Sequence, residues 1–289
     1  MQKFRLGKTG FQISAVTFGG IIEMNETDSD AQRYVDAAIE RGVNYFDVAP
    51  SYGNAQDKLG PALEQYRHGV YLACKTEKRD AAGAKAELLN SLKVLRTDYF
   101  DVYQLHGMRA PQDVERAFAD DGAMQTMLWA KKEGLIRNIG FSTHNEDVAL
   151  RTLELYDFDT VLFPMYWAMG INTGWGDRIA QRVKQTDAGL LAMKTLIHRA
   201  WLDGEDRSAY PKSWCKPISG DEALGVAAMK YGLSKGAATL IPPGNFEHFT
   251  FMTDHIDDCL AAPLTDAEWA RLREEAAHVE QHAIFQLES

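Results

Sequence analysis

Cysteine is scarce in this 289-residue chain: Cys74, Cys215 and Cys259 are the only three, and none stands in CxxC spacing. That excludes a disulfide framework and a paired-thiol zinc site, and the odd count reads as reduced thiols in a cytoplasmic compartment. Long apolar runs are missing. No stretch approaches the roughly 18–20 residues that a membrane-spanning helix needs. The first ten residues carry Lys3, Arg5 and Lys8 with no apolar run behind them, so they do not read as a secretion signal. Excess positive charge is missing too. The 31 Lys and Arg face 41 Asp and Glu, a net charge of -10. Such a chain lacks the basic face on which sequence-independent nucleic-acid binding depends. An anionic cofactor is still compatible, because a few local cations and helix N-termini suffice for one.

What remains is an ordinary globular composition, 45% hydrophobic and 25% charged, with no linker or low-complexity tract, read as a single domain over 1–289. Its dominant pattern is alternation of short β-rich runs with helical periods. The strand candidates are Ala15–Gly20, Asn44–Ala49, Val70–Thr76, Phe100–His106, Arg137–Thr143, Thr160–Tyr166, Gly189–Lys194 and Ala238–Pro242. They are mostly apolar on both faces, as strands covered by helices must be. Between them, Ala31, Tyr34, Val35, Ala38 and Ile39 fall at helical spacing after a cap at Asp28 or Ser29, and Gly42 ends that helix. Leu88, Leu92 and Leu95 mark a second helix. Met124, Met127 and Leu128 open a third, which stops at Gly134. Ala223, Leu224, Ala227, Ala228 and Tyr231 mark another, stopping at Gly232. Eight βα units predict a closed (β/α)8 TIM barrel, with an open doubly wound sheet as the alternative. Lys3–Ser14, with Gly7 and Gly10, predicts an N-terminal β-hairpin. Asp266–Gln281 predicts an extra C-terminal helix. The longest irregular segment, Ile197–Gly220, carries Trp201, Tyr210 and Trp214 and reads as a packed lid.

In such a barrel the chemistry sits at the C-terminal ends of the strands. The second strand ends in Asp47, with Tyr52 five residues on. The third ends in Cys74-Lys75-Thr76 and the fourth in Gln104-Leu105-His106. Three neighbouring strands therefore deliver Asp, Tyr, Lys and His to one rim. A phenol with a reference pKa near ~10 is a poor acid at neutral pH. A neighbouring ammonium, Lys75, is expected to lower the Tyr52 value by roughly 1–3 units. Asp47 would compensate the buried Lys75 cation, and His106 would donate to a carbonyl oxygen. The set polarises a ketone or aldehyde and supplies a proton, but holds no hydride source, so a cofactor is required. The strand ends show no HxH pair, and neither His144 nor His198 has a partner at metal-site spacing, so no metal site is expected.

Gly42-Val43-Asn44-Tyr45-Phe46-Asp47-Val48-Ala49-Pro50-Ser51-Tyr52-Gly53, continued by Leu59-Gly60, resembles the signature of the aldo-keto reductases. So do Leu6-Gly7-Lys8-Thr9-Gly10, Phe18-Gly19-Gly20, Ser91–Leu95 and Asp98–His106, and Gly140-Phe141-Ser142 is similar to the family's fifth-strand cofactor motif. The resemblance implies an eight-stranded βα barrel, NADP or NAD as cofactor, and reduction of a small-molecule carbonyl to an alcohol. It implies Tyr52 as proton donor, supported by Asp47, Lys75 and His106. It also implies cofactor contacts at Gly20, Asp47, Ser142, Thr143, Met193, Lys194, Gly244, Asn245 and His248.

The pattern departs from the family in places. Gln56 replaces an acidic residue, Val161–Pro164 lacks a Gln that often holds the nicotinamide amide, and Met193 stands where an aromatic ring often stacks. Lys194 is placed to reach the pyrophosphate, and Pro242-Pro243-Gly244-Asn245 resembles a reduced phosphate-binding turn. No Lys or Arg occurs between Lys235 and Arg271, so little preference for a 2′-phosphate is expected. Two other functions fit some of the residues: a Schiff-base aldolase acting through Lys75, and a nicotinamide-binding redox sensor without turnover. Trp167, Trp175, Trp201 and Trp214 are expected in rim loops, with Phe285 closing over them. The oligomeric state and the particular substrate are not legible.

Overall fold

The computed structural model describes residues 1–285. The chain opens with an antiparallel hairpin, β1 (Lys3–Arg5) and β2 (Gln12–Ser14). Gly7 and Gly10 make its turn at φ 48° and 73°, where a side chain would be strained. Eight parallel strands then follow in chain order: β3 (Phe18–Gly19), β4 (Tyr45–Asp47), β5 (Tyr71–Thr76), β6 (Phe100–Met108), β7 (Ile136–Thr143), β8 (Thr160–Pro164), β9 (Gly189–Met193) and, after β10 (Ile197–Arg199) and β11 (Lys216–Pro217), β12 (Thr239–Ile241). The ring closes where Thr17 N donates to Leu240 O and Leu240 N donates to Ala15 O, both at 2.9 Å. That closure is the predicted TIM barrel and excludes the open doubly wound sheet.

Strand parity sorts the side chains into two cores. Tyr45, Ala73, Val102, Leu162 and Leu191 point into the barrel and pack with Leu6 and Ile13, so the hairpin plugs its N-terminal end. Their alternates, such as Phe46, Leu72, Tyr103 and Phe163, pack against the helices. Each such burial contributes about 1.5–3 kcal/mol. The same parity, carried toward the C-terminal rim, turns Asp47, Lys75, Gln104 and His106 inward.

The helices correct several predicted boundaries. Helix Asp28–Glu40 is capped by Thr27, whose side chain accepts from Asp30 N at 3.1 Å, and not by Asp28 or Ser29. Asp28 is engaged by Lys58 at 2.6 Å. Helix Glu222–Ser234 runs past Gly232, its expected stop. A Cβ on Gly232 would come within 2.5 Å of Thr195 Cγ2, so that glycine serves close packing, and Gly236 at φ 82° ends the helix. The C-terminal helix spans Asp266–Val279 behind a Thr265/Glu268 capping box, then tightens into a 3-10 turn over Glu280–His282. No helix among the described residues is long and apolar enough to cross a membrane.

The long segment Ile197–Gly220 is folded back on itself. β10 pairs with β11. Glu205 binds Arg199 at 2.8 Å and also Lys216, and Trp201 Nε1 donates to Ser213 O at 3.0 Å. This ordered excursion stands at the rim beside β9 and β12.

Candidate active site

β4, β5 and β6 end side by side, with Lys75 paired in register to Gln104 and Asp47 to Ala73. Lys75 is fully buried. Its ammonium bonds the Asp47 carboxylate, donates to Val48 O at 3.3 Å, and lies 3.5 Å from Tyr52 Oη. Tyr52 reaches back to the rim because the turn bonds Tyr52 N to Ala49 O at 3.1 Å, and Gly53 at φ 57° then reverses the chain. The His106 ring meets the Tyr52 ring edge-on, with centroids 5.8 Å apart. Ser51 Oγ lies 3.3 Å from His106 Nδ1. The four predicted catalytic residues are therefore one cluster.

Burial works against the Lys75 charge, but Asp47, together with Tyr52 and Cys74, outweighs it and holds the ammonium above its ordinary range. Tyr52 departs from expectation. Burial raises its pKa above the ordinary phenol value and outweighs the downward pull of Lys75, while Asp47 adds to the rise. The expected net depression by Lys75 does not occur, because burial of the phenol outweighs the pull of the ammonium and Asp47 opposes part of that pull. His106 is pushed down to about 2, first by burial and then by Lys75, His144, Arg79 and Arg109. The rim thus presents a protonated phenol and a neutral imidazole. In the tautomer in which the Ser51 hydroxyl donates to Nδ1, the imidazole proton sits on Nε2, available to an oxygen acceptor.

A groove opens beside Tyr52, lined by Ile21, Met193, Lys194, Trp214, Pro243 and Gly244 among others. Trp214 leans on Tyr52 with centroids 6.2 Å apart and is 64% exposed, a large ring left uncovered at the groove's edge. Lys194 holds φ 64°, and its ammonium lies 3.8 Å from Cys215 Sγ.

Of the expected cofactor residues, Met193, Lys194 and Gly244 line this groove with Tyr52, and Asp47 lies beneath it in the Lys75 pair. Gly20 precedes Ile21 and packs so closely that a Cβ would come 2.7 Å from Val48 Cβ. Ser142 Oγ accepts from Gly107 N at 2.9 Å, and Thr143 Oγ1 donates to Met108 O, so both tie β7 to the end of β6. Asn245 donates to Ala209 O at 3.1 Å. His248 is buried with Nε2 3.2 Å from Ile218 O. Ser142, Thr143, Asn245 and His248 are not among the groove's lining residues.

Gln104 was not singled out by sequence, yet its amide donates to the second Asp47 oxygen at 2.8 Å. Its position two residues before His106 on one strand was the available signal. Ile21 and Cys215 were likewise missed. Of the four rim tryptophans, only Trp214 meets Tyr52. Trp167 is fully buried and donates to Ile197 O at 3.0 Å, Trp201 holds its own loop, and Trp175 stacks between Phe163 and Phe285. Phe285 also stacks on His144, with centroids 5.2 Å apart. Gln56 is buried and donates to Ser91 Oγ at 3.0 Å, a packing role for that departure.

The family model described as Aldo/keto reductase family matches residues 16–161, which contain all four rim residues. The chain is 32% identical over 162 residues to an uncharacterized oxidoreductase, YqkF, of Bacillus subtilis (strain 168), covering 51% of each. It is 27% identical over 210 residues to L-galactose dehydrogenase of Arabidopsis thaliana, covering 66% of this chain and 64% of that protein. The chain thus spans between about half and two thirds of the length of these curated relatives. In fold it is similar to an aldo-keto reductase from Bacillus halodurans in its holo form, with a TM-score of 0.73 over 99% of this chain and 98% of that one at 22% identity. By the matched region and the rim it encloses, this chain belongs to the aldo/keto reductase family.

Proposed function

We propose that this protein is a NAD(P)H-dependent oxidoreductase that reduces aldehydes or ketones to alcohols, with Tyr52 as proton donor. The observation that carries the reading is the Lys75 ammonium, gripped by Asp47 and 3.5 Å from the Tyr52 hydroxyl. As Tyr52 gives its proton to the carbonyl oxygen, the phenolate left behind faces a cation already in place, so the charge develops against a preorganised partner. His106, neutral at working pH, donates through Nε2 to the same oxygen and orients it.

The groove fits a nicotinamide cofactor. Its floor beside Tyr52 is apolar through Ile21 and Met193, and Lys194 supplies a cation for a diphosphate, with Gly244 at the turn before the last rim helix. Gly20, Ser142, Thr143, Asn245 and His248 complete the candidate contacts. The cofactor, when bound, supplies the hydride. Free thiols at Cys74, Cys215 and Cys259 support a reducing, cytoplasmic setting.

A Schiff-base aldolase is disfavoured by Lys75 itself. An ammonium held charged above its ordinary range has no lone pair to attack a carbonyl. The test is a panel of aldehydes and ketones with NADPH and with NADH, followed at 340 nm. Turnover that Tyr52→Phe abolishes supports the reading. Tight dinucleotide binding without turnover of any carbonyl would instead favour a redox sensor, and borohydride trapping of a ketone on Lys75 would favour the aldolase.

A further inference from the structure

β6 and β7 run side by side to their ends, where Met108 pairs in register with Thr143. Arg109 and His144 are the next residue on each strand, so they are neighbours on the rim that carries Tyr52 and His106. The root of Arg109 is fixed, because its backbone N–H donates to Asp113 Oδ2 at 2.7 Å. The His144 ring stacks on Phe285, and its Nε2 is buried without a partner among the described residues.

The other cations of this rim are committed. Lys75 is held by Asp47. Arg79 bonds Asp113 Oδ1 at 3.1 Å and donates to the carbonyls of His106 and Gly107 at 2.7 and 3.1 Å. Lys194 lines the cofactor groove beside Cys215, where the reading above gives its charge to a diphosphate. Arg109 differs from all three. It is exposed, and its guanidinium enters no ion pair or hydrogen bond among the described residues. Asp113, the acid next to it, is already engaged by Arg79 and by the backbone N–H groups of Arg109 and Ala110.

The free guanidinium acts on the rim. Burial first, and then cations that include Arg109, push His106 down to about 2 and His144 down to about 3. Glu77 is the acid beside the His106 ring, with Oε1 3.7 Å from Nδ1, so it shares the Nδ1 edge with Ser51 and not the Nε2 edge. A chain of net charge -10 thus keeps a positive patch at the strand ends that carry its proposed chemistry.

We infer that the carbonyl substrate is an anion, an aldehyde or ketone whose carboxylate or phosphate is received by Arg109. The inference rests on the carbonyl-reductase reading above and names the substrate class for it. A guanidinium offers two parallel N–H donors to a carboxylate or phosphate, so it fixes orientation as well as affinity. An anion seated at the end of β6 leaves the other end of a short substrate, its carbonyl, to Tyr52 and His106. A neutral carbonyl compound gains no such tether.

The test is kcat/KM of the full chain, with NADPH and with NADH, for two matched pairs of aldehydes: 4-formylbenzoate against its methyl ester, and glycolaldehyde phosphate against glycolaldehyde. One anion at least should be preferred to its neutral partner by about tenfold or more at low salt, with the preference shrinking at high salt. The pair with the larger ratio tells carboxylate from phosphate. Arg109→Gln should cut that ratio by about tenfold, mostly through KM. Arg109→Lys keeps the charge but loses the fork, so it should retain part of the ratio, and it serves if Arg109→Gln fails to fold. Arg109→Glu should turn the preference toward a cationic aldehyde such as trimethylammonioacetaldehyde. Equal kcat/KM within both pairs overturns the inference and leaves the carbonyl-reductase reading standing. An anion preference that folded Arg109→Gln keeps in full overturns the assignment to Arg109. Absence of turnover with every carbonyl overturns both readings.

Discussion

The Gln104 amide donates at 2.8 Å to the Asp47 carboxylate oxygen that Lys75 leaves free, so a strand next but one to β4 helps aim the ion pair that serves Tyr52. Gln104→Leu leaves that buried oxygen without a donor. A stability loss of about 1–3 kcal/mol is expected in denaturant unfolding. Turnover should fall while dinucleotide affinity stays near that of the wild type. Unchanged stability and turnover together would show that the contact is idle.

Tyr52→Phe keeps the ring and removes the proton. General acid catalysis typically contributes ~10²–10⁴-fold, and turnover should drop by about that factor with dinucleotide binding retained. Activity within a few-fold of the wild type would remove Tyr52 from its role.

Lys75→Met and Asp47→Asn should shift the pH profile in opposite directions. On the proposed role of Tyr52, its phenolate is the base in alcohol oxidation, so the profile follows the Tyr52 pKa. Removing Lys75 removes the cationic pull on the phenol, and the alkaline requirement should move up. Removing the Asp47 charge exposes the phenol to an uncompensated ammonium, and the requirement should move down. Asp47→Asn should also destabilise by about 3–5 kcal/mol, since it leaves a fully buried cation unpaired. Initial rates against pH for the two variants decide this, and a shift of both in one direction would contradict the arrangement.

His106, with its pKa at about 2, stays neutral throughout the usual assay range. Carbonyl reduction should therefore show no histidine limb between about pH 5 and 8. A fall in kcat/KM below a midpoint near 6.5 that disappears in His106→Asn would show a charged imidazole at work.

Glu23 is fully buried with neither carboxylate oxygen paired, and burial pushes its pKa up to about 8. The folded value lies above the unfolded one. Its contribution to stability is thus present below about pH 4.5 and is lost as pH rises through 8. Glu23→Gln removes the ionisable group. The variant should gain at least about 1 kcal/mol on the wild type between pH 5 and pH 9 in denaturant unfolding. A difference independent of pH would mean that Glu23 is solvated in the folded state.

Much of this molecule is legible in its sequence for a physical reason. Strands covered on both faces must be mostly apolar, so the eight runs stand out, and the barrel then places Asp47, Lys75 and His106 at one rim. Other features depend on what lies across space. Gly232 looks like a helix stop but exists to admit Thr195. Trp201 and Trp214 are alike in sequence, yet one fastens a loop and the other edges the groove. The sign of the Tyr52 shift depends on how deeply the hydroxyl is buried and how fully Asp47 cancels Lys75, and neither quantity is written in residue spacing.

The barrel's last join carries a consequence for its synthesis. The ring is sealed by the bonds between Thr17 and Leu240 and between Leu240 and Ala15, with the Thr17 and Thr239 hydroxyls 2.9 Å apart beside them. Partners this far apart in sequence cannot meet until nearly the whole chain has left the ribosome. Until then β3 and β9 are the raw edges of a growing sheet, with backbone groups open to stray pairing. The strand that completes the circle is three residues long, Thr239–Ile241, so the clasp arriving last is also among the shortest, and amide exchange at Thr17 and Leu240 should report its opening first.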